Sequence, residues 1–235
     1  MSLAGDRERL VVFARAPYLG RVKTRLTPPL TQQQALDLHR ALVEDTLERI
    51  ARFRRPGLEH WLYLSEPSSP EQLDVAPAWS SAIQAGDDLG ARMEGAFRQA
   101  YEDGRDRIVI VGSDSPTLPL DYLEQAYEAL ATQDVVLGPA EDGGYYLVGS
   151  SRFIPELLRG ITWGSSRVLE QSTAALSRAG RSFHLLPSWY DVDTAEDLSR
   201  LQKELVQLQA VPRAGFPRRT AAALASFLQQ GKIPS

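Results

Sequence analysis

Apolar residues follow two alternating patterns along the chain. Short, nearly continuous apolar runs, such as residues 10–14 and 107–112, are typical of strands that are buried on both faces of a sheet. Between these runs, apolar residues recur at three- and four-residue steps, as they do in amphipathic helices. The first such helix follows Thr31, a residue type suited to capping. The alternation predicts a three-layer α/β fold in which helices cover a mostly parallel sheet.

The same patterns predict the bounds of the elements. Strands are expected at residues 10–14, 58–64, 81–84, 107–112, 134–137, 145–148 and 183–186. Helices are expected at residues 31–50, 88–101, 121–131, 165–179, 194–208 and 220–230. We therefore expect a single catalytic domain over residues 1–208. A C-terminal linker and short helix would fill residues 209–235, with the linker in the Pro- and Arg-rich stretch 211–219.

Composition narrows the classes of protein that the sequence fits. With 43% hydrophobic and 24% charged residues, the chain suits a soluble globular fold, and its net charge of −4 argues against a nucleic-acid partner bound on a broad basic surface. Because the chain has no cysteine and only three scattered histidines, any metal would be held mainly by carboxylates. No apolar run approaches the length of a membrane span, and the first residues lack the core of a signal peptide, so we expect a cytoplasmic protein with no membrane partner.

The loop after the first predicted strand concentrates positive charge. Four cations, Arg15, Arg21, Lys23 and Arg25, fall within it, and Gly20 gives its backbone freedom. Arginine can bind phosphate through two parallel hydrogen bonds, and lysine binds it as a point charge. The alternative is a basic loop that is simply solvated. The expected nucleotide- or phosphate-binding residues here are Arg15, Gly20, Lys23, Thr24 and Arg25.

Carboxylates in two later loops are candidate metal ligands. Asp114 comes directly after the strand at 107–112, and Asp191 and Asp193 precede the last core helix. Hard cations such as Mg²⁺ take carboxylate oxygens and share them with substrate phosphates. Asp114 and one member of the later pair could supply such a site from opposite sides. The alternative is local capping, by Asp114 in its turn and by Asp193 or Thr194 at the helix start.

The segment 141–144 places two acids before two glycines. Glu141 and Asp142 are candidate catalytic residues, since a carboxylate can contact sugar hydroxyls or accept a proton. Gly143 and Gly144 are candidate substrate-binding residues, because glycine lets a ligand approach the backbone closely. A plain hairpin turn is the alternative interpretation.

Three further residues are weaker candidates. Gln84 and Gly86 could position a base or a sugar, although their loop leads into a helix that Asp88 can cap without any function. Trp163 flanks a polar loop and could stack on a substrate ring, although buried aromatic residues usually belong to the core.

Five ordered motifs carry a resemblance to a known family. They are FARAP with GRVKTRL (13–17 and 20–26), GDDLGARM (86–93), GSDSP (112–116), EDGGY (141–145) and DVDTAEDL (191–198). With them the chain resembles the DUF2064 family, which is labelled glycosyltransferase-like and is related to the phospholactate guanylyltransferases of coenzyme F420 synthesis. The resemblance spans about residues 10–198.

The resemblance implies the GT-A fold of nucleotide-diphospho-sugar transferases. It places nucleotide phosphates on Arg15, Lys23 and Arg25, and Mg²⁺ or Mn²⁺ on Asp114 and Asp193. Two departures leave the reaction type open. The first loop lacks the G-x-G-T-R form of many sugar nucleotidyltransferases, and the segment around Asp114 is not the D-x-D of many GT-A transferases.

Three functions follow as expectations. The leading one is a metal-dependent glycosyltransferase that uses a nucleotide-diphospho-sugar donor and a small-molecule acceptor. The alternative is a nucleotidyltransferase, guanylyltransferase-like, that joins a nucleoside triphosphate to a phosphorylated small molecule and releases pyrophosphate. The third is a nucleotide-binding module without turnover. A homodimer is compatible with each, because the C-terminal helix could serve as a lid or a dimer arm.

Overall fold

A seven-stranded sheet forms the centre of the protein in a computed structural model, which describes residues 7–68, 72–209 and 215–232. The strand order is β3-β2-β1-β4-β6-β5-β7, and β6 runs antiparallel to its neighbours β4 and β5, whereas the other pairs are parallel. The strands are β1 (Glu8–Ala14), β2 (Leu58–Leu64), β3 (Ser80–Ile83), β4 (Arg107–Gly112), β5 (Val135–Pro139), β6 (Tyr145–Ser150) and β7 (Phe183–Leu185). The predicted mostly parallel α/β fold is confirmed.

Six α-helices accompany the sheet in the described part of the chain. They are α1 (Gln32–Ile50), α2 (Leu89–Glu102), α3 (Leu120–Ala129), α4 (Val168–Arg178), α5 (Ala195–Gln209) and α6 (Arg218–Gln229). The predicted caps of the first two are present. Thr31 and Gln34 form a capping box at the start of α1, and the Asp88 carboxylate accepts a hydrogen bond from the Ala91 N–H at 2.7 Å. Thus both helices begin where local hydrogen bonding predicts.

The central strand β1 is buried on both of its faces. Its side chains alternate, so that Leu10 and Val12 join a core cluster with α1 and α3, while Val11 and Phe13 join a second cluster with α2 and α4. This two-sided burial explains why the strand sequence is apolar without alternation.

A third apolar cluster lies between α1, α5 and α6. It includes Leu26 and Leu30 from the basic first loop, together with Leu224 and Phe227 of α6. The first loop therefore packs on α1, which follows it in the sequence, and on α5 and α6 from the other end of the chain.

The end of the chain differs slightly from the prediction. Residues 211–214 of the expected linker lie outside the described residues. Helix α6 begins at Arg218, two residues earlier than predicted, because Pro217 directly precedes it and proline is well tolerated at a helix start. Among the described helices, none has the combined length and apolar character needed to cross a membrane.

Candidate functional site

The basic first loop and both aspartate loops meet at one edge of the sheet. The loop leaves the carboxyl end of β1, Asp114 lies just past the carboxyl end of the neighbouring strand β4, and Asp193 lies before α5. Ligands of open α/β sheets bind at this edge. A narrow cleft of about 200 Å³ is lined here by Arg15, Arg21, Val22, Lys23, Thr24, Arg25, His39, Asp114 and Asp193.

A wider cleft of about 810 Å³ adjoins the narrow one and shares Arg15, Arg21, Thr24 and Asp114 with it. Its volume lies within the range of pockets that hold small organic ligands. Residues near the end of β3 and the start of α2 form another wall of the cleft; they are Gln84, Asp87, Asp88, Leu89 and Arg92. The two clefts together offer a charged end and a larger, more mixed compartment.

Lys23 holds the two separated aspartates together. Its Nζ lies 2.8 Å from Asp114 Oδ1, 2.9 Å from Asp193 Oδ1 and 2.7 Å from the carbonyl oxygen of Val192. The Lys23 side chain is only 3% exposed. Nζ donates hydrogen bonds to Asp193 and to the Val192 carbonyl, and its close contact with Asp114 is an ion pair. The structure thus brings both predicted metal ligands, Asp114 and Asp193, to one cation, which is the Lys23 ammonium.

The buried charges stabilise one another. Burial alone would lower the pKa of Lys23, but the charges of Asp114 and Asp193 outweigh it and raise the pKa above its ordinary value. Burial alone would raise the pKa of Asp114, but Lys23, then His39, reverse the direction and lower it. Lys23 and Asp114 are therefore both held in their charged forms.

Asp191 has different surroundings from Asp193. Its Oδ1 accepts a hydrogen bond from the Ser115 hydroxyl at 2.6 Å. Burial and the nearby charge of Asp114 raise the pKa of Asp191 to about 6. Of the two residues that the sequence left as alternatives, Asp193 shares a cation with Asp114, and Asp191 supports the loop.

Helix α5 is capped by Thr194, one of the two predicted caps, together with Asp197. The Thr194 hydroxyl accepts a hydrogen bond from the Asp197 N–H at 3.3 Å, and Asp197 Oδ2 accepts hydrogen bonds from the backbone N–H groups of Asp193 and Thr194 at 3.0 and 2.7 Å. This reciprocal arrangement satisfies the helix start without the Asp193 carboxylate. The capping alternative for that side chain is therefore unnecessary.

His39 belongs to the narrow cleft, although the sequence analysis assigned it no role. Its Nε2 lies 2.9 Å from the carbonyl oxygen of Arg15, so Nε2 carries the proton of this contact. Nδ1 is buried and has no hydrogen-bond partner among the described residues. Burial lowers the pKa of His39. The His39 imidazole therefore supports the start of the basic loop through Nε2. Its position on α1 beside that loop depends on tertiary packing, which no local motif reveals.

Two weaker candidates have clear structural contacts. Gln84 Nε2 donates to the carbonyl oxygens of Ala14 and Tyr63 at 3.1 and 2.9 Å, so its side chain joins the ends of β1 and β2 beside the wide cleft. Gly86 has φ of 145°, and a Cβ there would come within 2.7 Å of the backbone of Ala91. Their nucleotide-binding roles stay predictions.

The acidic pair of the 141–144 turn has partners of its own. Glu141 Oε2 accepts a 2.6 Å hydrogen bond from Arg200, and Asp142 Oδ1 accepts a 2.9 Å hydrogen bond from the backbone N–H of Gly144. Neither acid is among the described residues that line the two clefts. In this state the structure gives both acids local contacts, and their catalytic role stays a prediction.

The remaining candidates pack against neighbouring segments. Gly143 has φ of 89°, and a Cβ there would lie 2.0 Å from the carbonyl oxygen of Ser166. Trp163 packs against Gly90 of α2, where a Cβ would lie 2.2 Å from the indole nitrogen, and it meets the Tyr145 ring edge-on. Close packing therefore accounts for glycine at positions 90 and 143 and for the position of Trp163. Substrate binding by Gly143, Gly144 and Trp163 stays a prediction.

The carboxylates of Asp114 and Asp193 fit a divalent cation whose other ligands are water and substrate phosphates. Among the described residues, no group of three or more His, Cys, Asp or Glu side chains is placed to hold a metal. Mg²⁺ nevertheless needs only one or two carboxylates when water and substrate phosphates complete its octahedron. One oxygen of each carboxylate faces the same point, which the Lys23 ammonium occupies, so the pair is a donor set of the kind that Mg²⁺ takes.

Comparison with known proteins identifies a family that matches half of the chain. Residues 46–165 match the family described as "Uncharacterized protein conserved in bacteria (DUF2064)". Among individual proteins, the 2-phospho-L-lactate guanylyltransferase of Methanothermobacter thermautotrophicus strain Delta H is 27% identical over 186 residues, which cover 76% of this chain and 78% of that protein.

Solved structures show the same architecture. A protein of Desulfovibrio desulfuricans G20, provisionally named a nucleotide-diphospho-sugar transferase, superposes with a TM-score of 0.82 at 32% identity, covering 94% of this chain and 98% of that one. Rv0371C of Mycobacterium tuberculosis H37Rv, whose structure is a complex with manganese, superposes with a TM-score of 0.52 at 16% identity, covering 85% of this chain and 100% of that one. The latter likeness concerns the fold alone.

Proposed function

The chain belongs to the DUF2064 family, and we propose that it is a nucleotidyltransferase that joins a nucleoside triphosphate to a phosphorylated small molecule and releases pyrophosphate. This is a transferase, the enzyme class expected from the sequence. The observation that carries the proposal is the narrow cleft, in which four cations of one loop lie beside Asp114 and Asp193. The guanylyltransferase relative supports the choice of nucleotidyl transfer over the glycosyl transfer that the sequence analysis placed first.

The charge of the narrow cleft suits a triphosphate. Arg15, Arg21 and Arg25 line it beside Lys23, and the two aspartates, together with the Glu66 partner of Arg21, compensate only part of that positive charge. Fixed cations aimed at phosphate oxygens stabilise the charge that develops on a leaving pyrophosphate. We place the three phosphates along this cleft and the nucleoside in the adjoining wide cleft, with which it shares Arg15, Arg21 and Thr24. The basic loop then binds the leaving group, and the wide cleft binds the nucleoside.

The reaction has a simple balance of bonds. An acceptor phosphate oxygen attacks the α-phosphorus of the triphosphate, a new P–O bond forms, and the bond to the bridging oxygen of the β-phosphate breaks as pyrophosphate leaves. Asp114 and Asp193 would hold Mg²⁺ or Mn²⁺, which supplies neutralisation of phosphate charge when it is bound. The arginines of the first loop orient the phosphates, and His39 fixes the loop by its contact with the carbonyl of Arg15.

Glycosyl transfer is the second candidate, because the D. desulfuricans protein carries a name of that kind at 32% identity. The fold and the phosphate loop serve both reactions, so the bond that breaks separates them. For glycosyl transfer we expect a carboxylate that contacts the sugar or activates the acceptor. Glu141 and Asp142, the acids expected for that task, are bound to Arg200 and Gly144 in the structure.

The deciding experiment measures products. The protein would be incubated with Mg²⁺ or Mn²⁺, each of the common nucleoside triphosphates, and a panel of phosphorylated hydroxy acids and sugar phosphates. We expect pyrophosphate in amounts equal to a new nucleotide-linked product. A parallel series with nucleotide sugars would be assayed for nucleoside diphosphate; release there, with no pyrophosphate from any triphosphate, would reject nucleotidyl transfer in favour of glycosyl transfer. Binding of nucleotide without either product would support the third class, a binding module.

A further inference from the structure

We propose that the Lys23 ammonium is a built-in stand-in for the divalent cation: it holds Asp114 and Asp193 together in the metal-free protein and leaves them when the metal binds. The inference rests on the metal role given to this carboxylate pair in the proposed function. It also assigns Lys23 two positions, one on the carboxylates and one on the substrate phosphates. The charge of the first loop predicts only the second of these positions.

Geometry makes the two cations exclusive. Nζ lies 2.8 and 2.9 Å from one oxygen of each aspartate, between the two carboxylates. A Mg²⁺ ion bound to the same oxygens at about 2.0–2.1 Å would occupy the same region between them. The ammonium and the metal would then be separated by much less than the contact distance of two solvated cations, and each would lose its ligands to the other. One must leave before the other can bind.

Lys23 is suited to leaving. Its charge is carried by a flexible four-carbon chain, and the cleft that Lys23 lines is also bordered by Thr24 and Arg25, where substrate phosphates are proposed to bind. A displaced ammonium would therefore stay inside the phosphate region. There it would exchange two carboxylate partners for phosphate oxygens, which are equally suitable acceptors.

The backbone at Lys23 is consistent with a position held by its side-chain contacts. Lys23 has φ of 47° and ψ of 38°, the left-handed region that a non-glycine residue adopts at a cost on the order of 1 kcal/mol. Strained backbone persists where surrounding interactions over-determine it. Here the three contacts of Nζ bind the side chain across the cleft to segments far away in the sequence. Displacement of the ammonium would release that restraint on the first loop.

The first test measures Mn²⁺ affinity without nucleotide, by the loss of the free Mn²⁺ signal in electron paramagnetic resonance. Lys23→Met removes the competing cation, so we expect its Kd for Mn²⁺ to fall about tenfold or more, since one close unit charge in a partly buried site is worth at least that factor. Arg25→Met is the matched control, because it removes one charge from the same cleft but not from between the carboxylates. We expect it to change the Kd by less than about threefold.

Two results of this titration would overturn the inference. An unchanged or higher Kd in Lys23→Met would mean that Lys23 does not compete with the metal. An equal gain in Arg25→Met would mean that only the overall charge of the cleft matters.

A second test uses the unaltered protein, so that its result does not depend on the folding of Lys23→Met, which leaves the partly exposed Asp114 and Asp193 carboxylates without their shared partner. The chain has three lysines, Lys23, Lys203 and Lys232, so reductive methylation followed by mass spectrometry can follow each one. In the absence of metal we expect Lys203 and Lys232 to react and Lys23 to be protected. Saturating Mn²⁺ without nucleotide should make Lys23 reactive and leave the other two rates unchanged. Continued protection of Lys23 under saturating Mn²⁺ would overturn the inference.

This outcome is separable from that of the proposed function. Metal-dependent pyrophosphate release together with a Lys23 that stays protected under saturating metal would overturn the displacement and leave nucleotidyl transfer intact. If Mn²⁺ exposes Lys23 in a protein that releases no pyrophosphate, the displacement is supported and nucleotidyl transfer is rejected.

Discussion

The Asp45 carboxylate of α1 accepts a 2.7 Å hydrogen bond from the backbone N–H of Thr220 in the first turn of α6. Asp45 is 3% exposed, and its second oxygen faces the Arg219 N–H at 3.3 Å. One buried side chain thus caps a helix far away in the sequence and fixes it beside the first loop.

Asp45→Ala should therefore lower the stability of the protein. It leaves the N–H groups at the start of α6 without their acceptor, at an expected cost of about 2 kcal/mol in the free energy of unfolding. Glu48→Ala is the control, since Glu48 contacts Arg219 and Arg52 at the surface and should cost less than about 1 kcal/mol. Urea unfolding followed by circular dichroism gives both values, and equal losses would contradict the capping role.

Asp114→Asn should reduce pyrophosphate release by on the order of 100-fold or more, because it removes one charge from the proposed metal site while nearly preserving volume. Raising the Mg²⁺ concentration should recover part of the rate. Asp121→Asn, an exposed change at the start of α3, is the control and should keep the parent rate. An Asp114→Asn enzyme with full activity and unchanged metal dependence would leave Asp114 a purely structural residue.

Arg25→Ala should slow whichever transfer reaction the protein performs, by about 10- to 1000-fold for one lost charge-stabilising donor. The loss should appear in kcat if Arg25 acts on the leaving pyrophosphate, and in KM if it only binds the nucleotide. Arg98→Ala, on the outer surface of α2 beside Glu94, is the matched control. If the Arg25→Ala rate equals that of the parent enzyme, the basic loop has no part in the reaction and is simply solvated.

Asp191→Asn should change how stability depends on pH. The folded-state pKa of Asp191, about 6, lies above the ordinary 3.8, so the folded protein favours its protonated form. The stability from this group is fully present below about pH 4 and is lost as the pH rises through 6. Asparagine cannot ionise, so the variant does not lose this stability as the pH rises. From pH 4 to pH 8 its free energy of unfolding should therefore increase relative to that of the parent by on the order of 2 kcal/mol. Urea unfolding in EDTA at both pH values measures the difference; parallel profiles for the two proteins would argue against a raised pKa.

Much of the fold followed from local patterns. The apolar runs gave all seven strands, and Thr31 and Asp88 marked the starts of two helices, because capping and two-sided burial leave direct traces in a sequence. The direction of β6 followed only from the hairpin alternative for residues 141–144, which makes β5 and β6 antiparallel neighbours. The apolar run Tyr145–Ser150 does not itself record this direction, and its pairing with β4 has no local signal in the sequence.

The site was predictable in its members but not in its contacts. Charge density pointed to Lys23, but which acceptors its ammonium reaches depends on how β1, β4 and the segment before α5 meet in space. Asp191 and Asp193 could not be separated by spacing alone; Ser115 and Lys23, which distinguish them, come from distant segments. His39 was missed for the same reason.

The apolar cluster behind the first loop has a consequence for how the protein is made. Leu26 and Leu30 leave the ribosome early, soon followed by Leu38 and Leu42 of α1, but Leu224 and Phe227 of the same cluster are translated nearly a whole chain later. Because synthesis runs from the amino end, the nascent chain can pair β1 with β2 and β4 well before this support for the loop exists. The α6 side of this cluster is therefore added as a late step of folding, and a chain that ends before α6 would leave Leu26 and Leu30 supported by α1 and α5 alone.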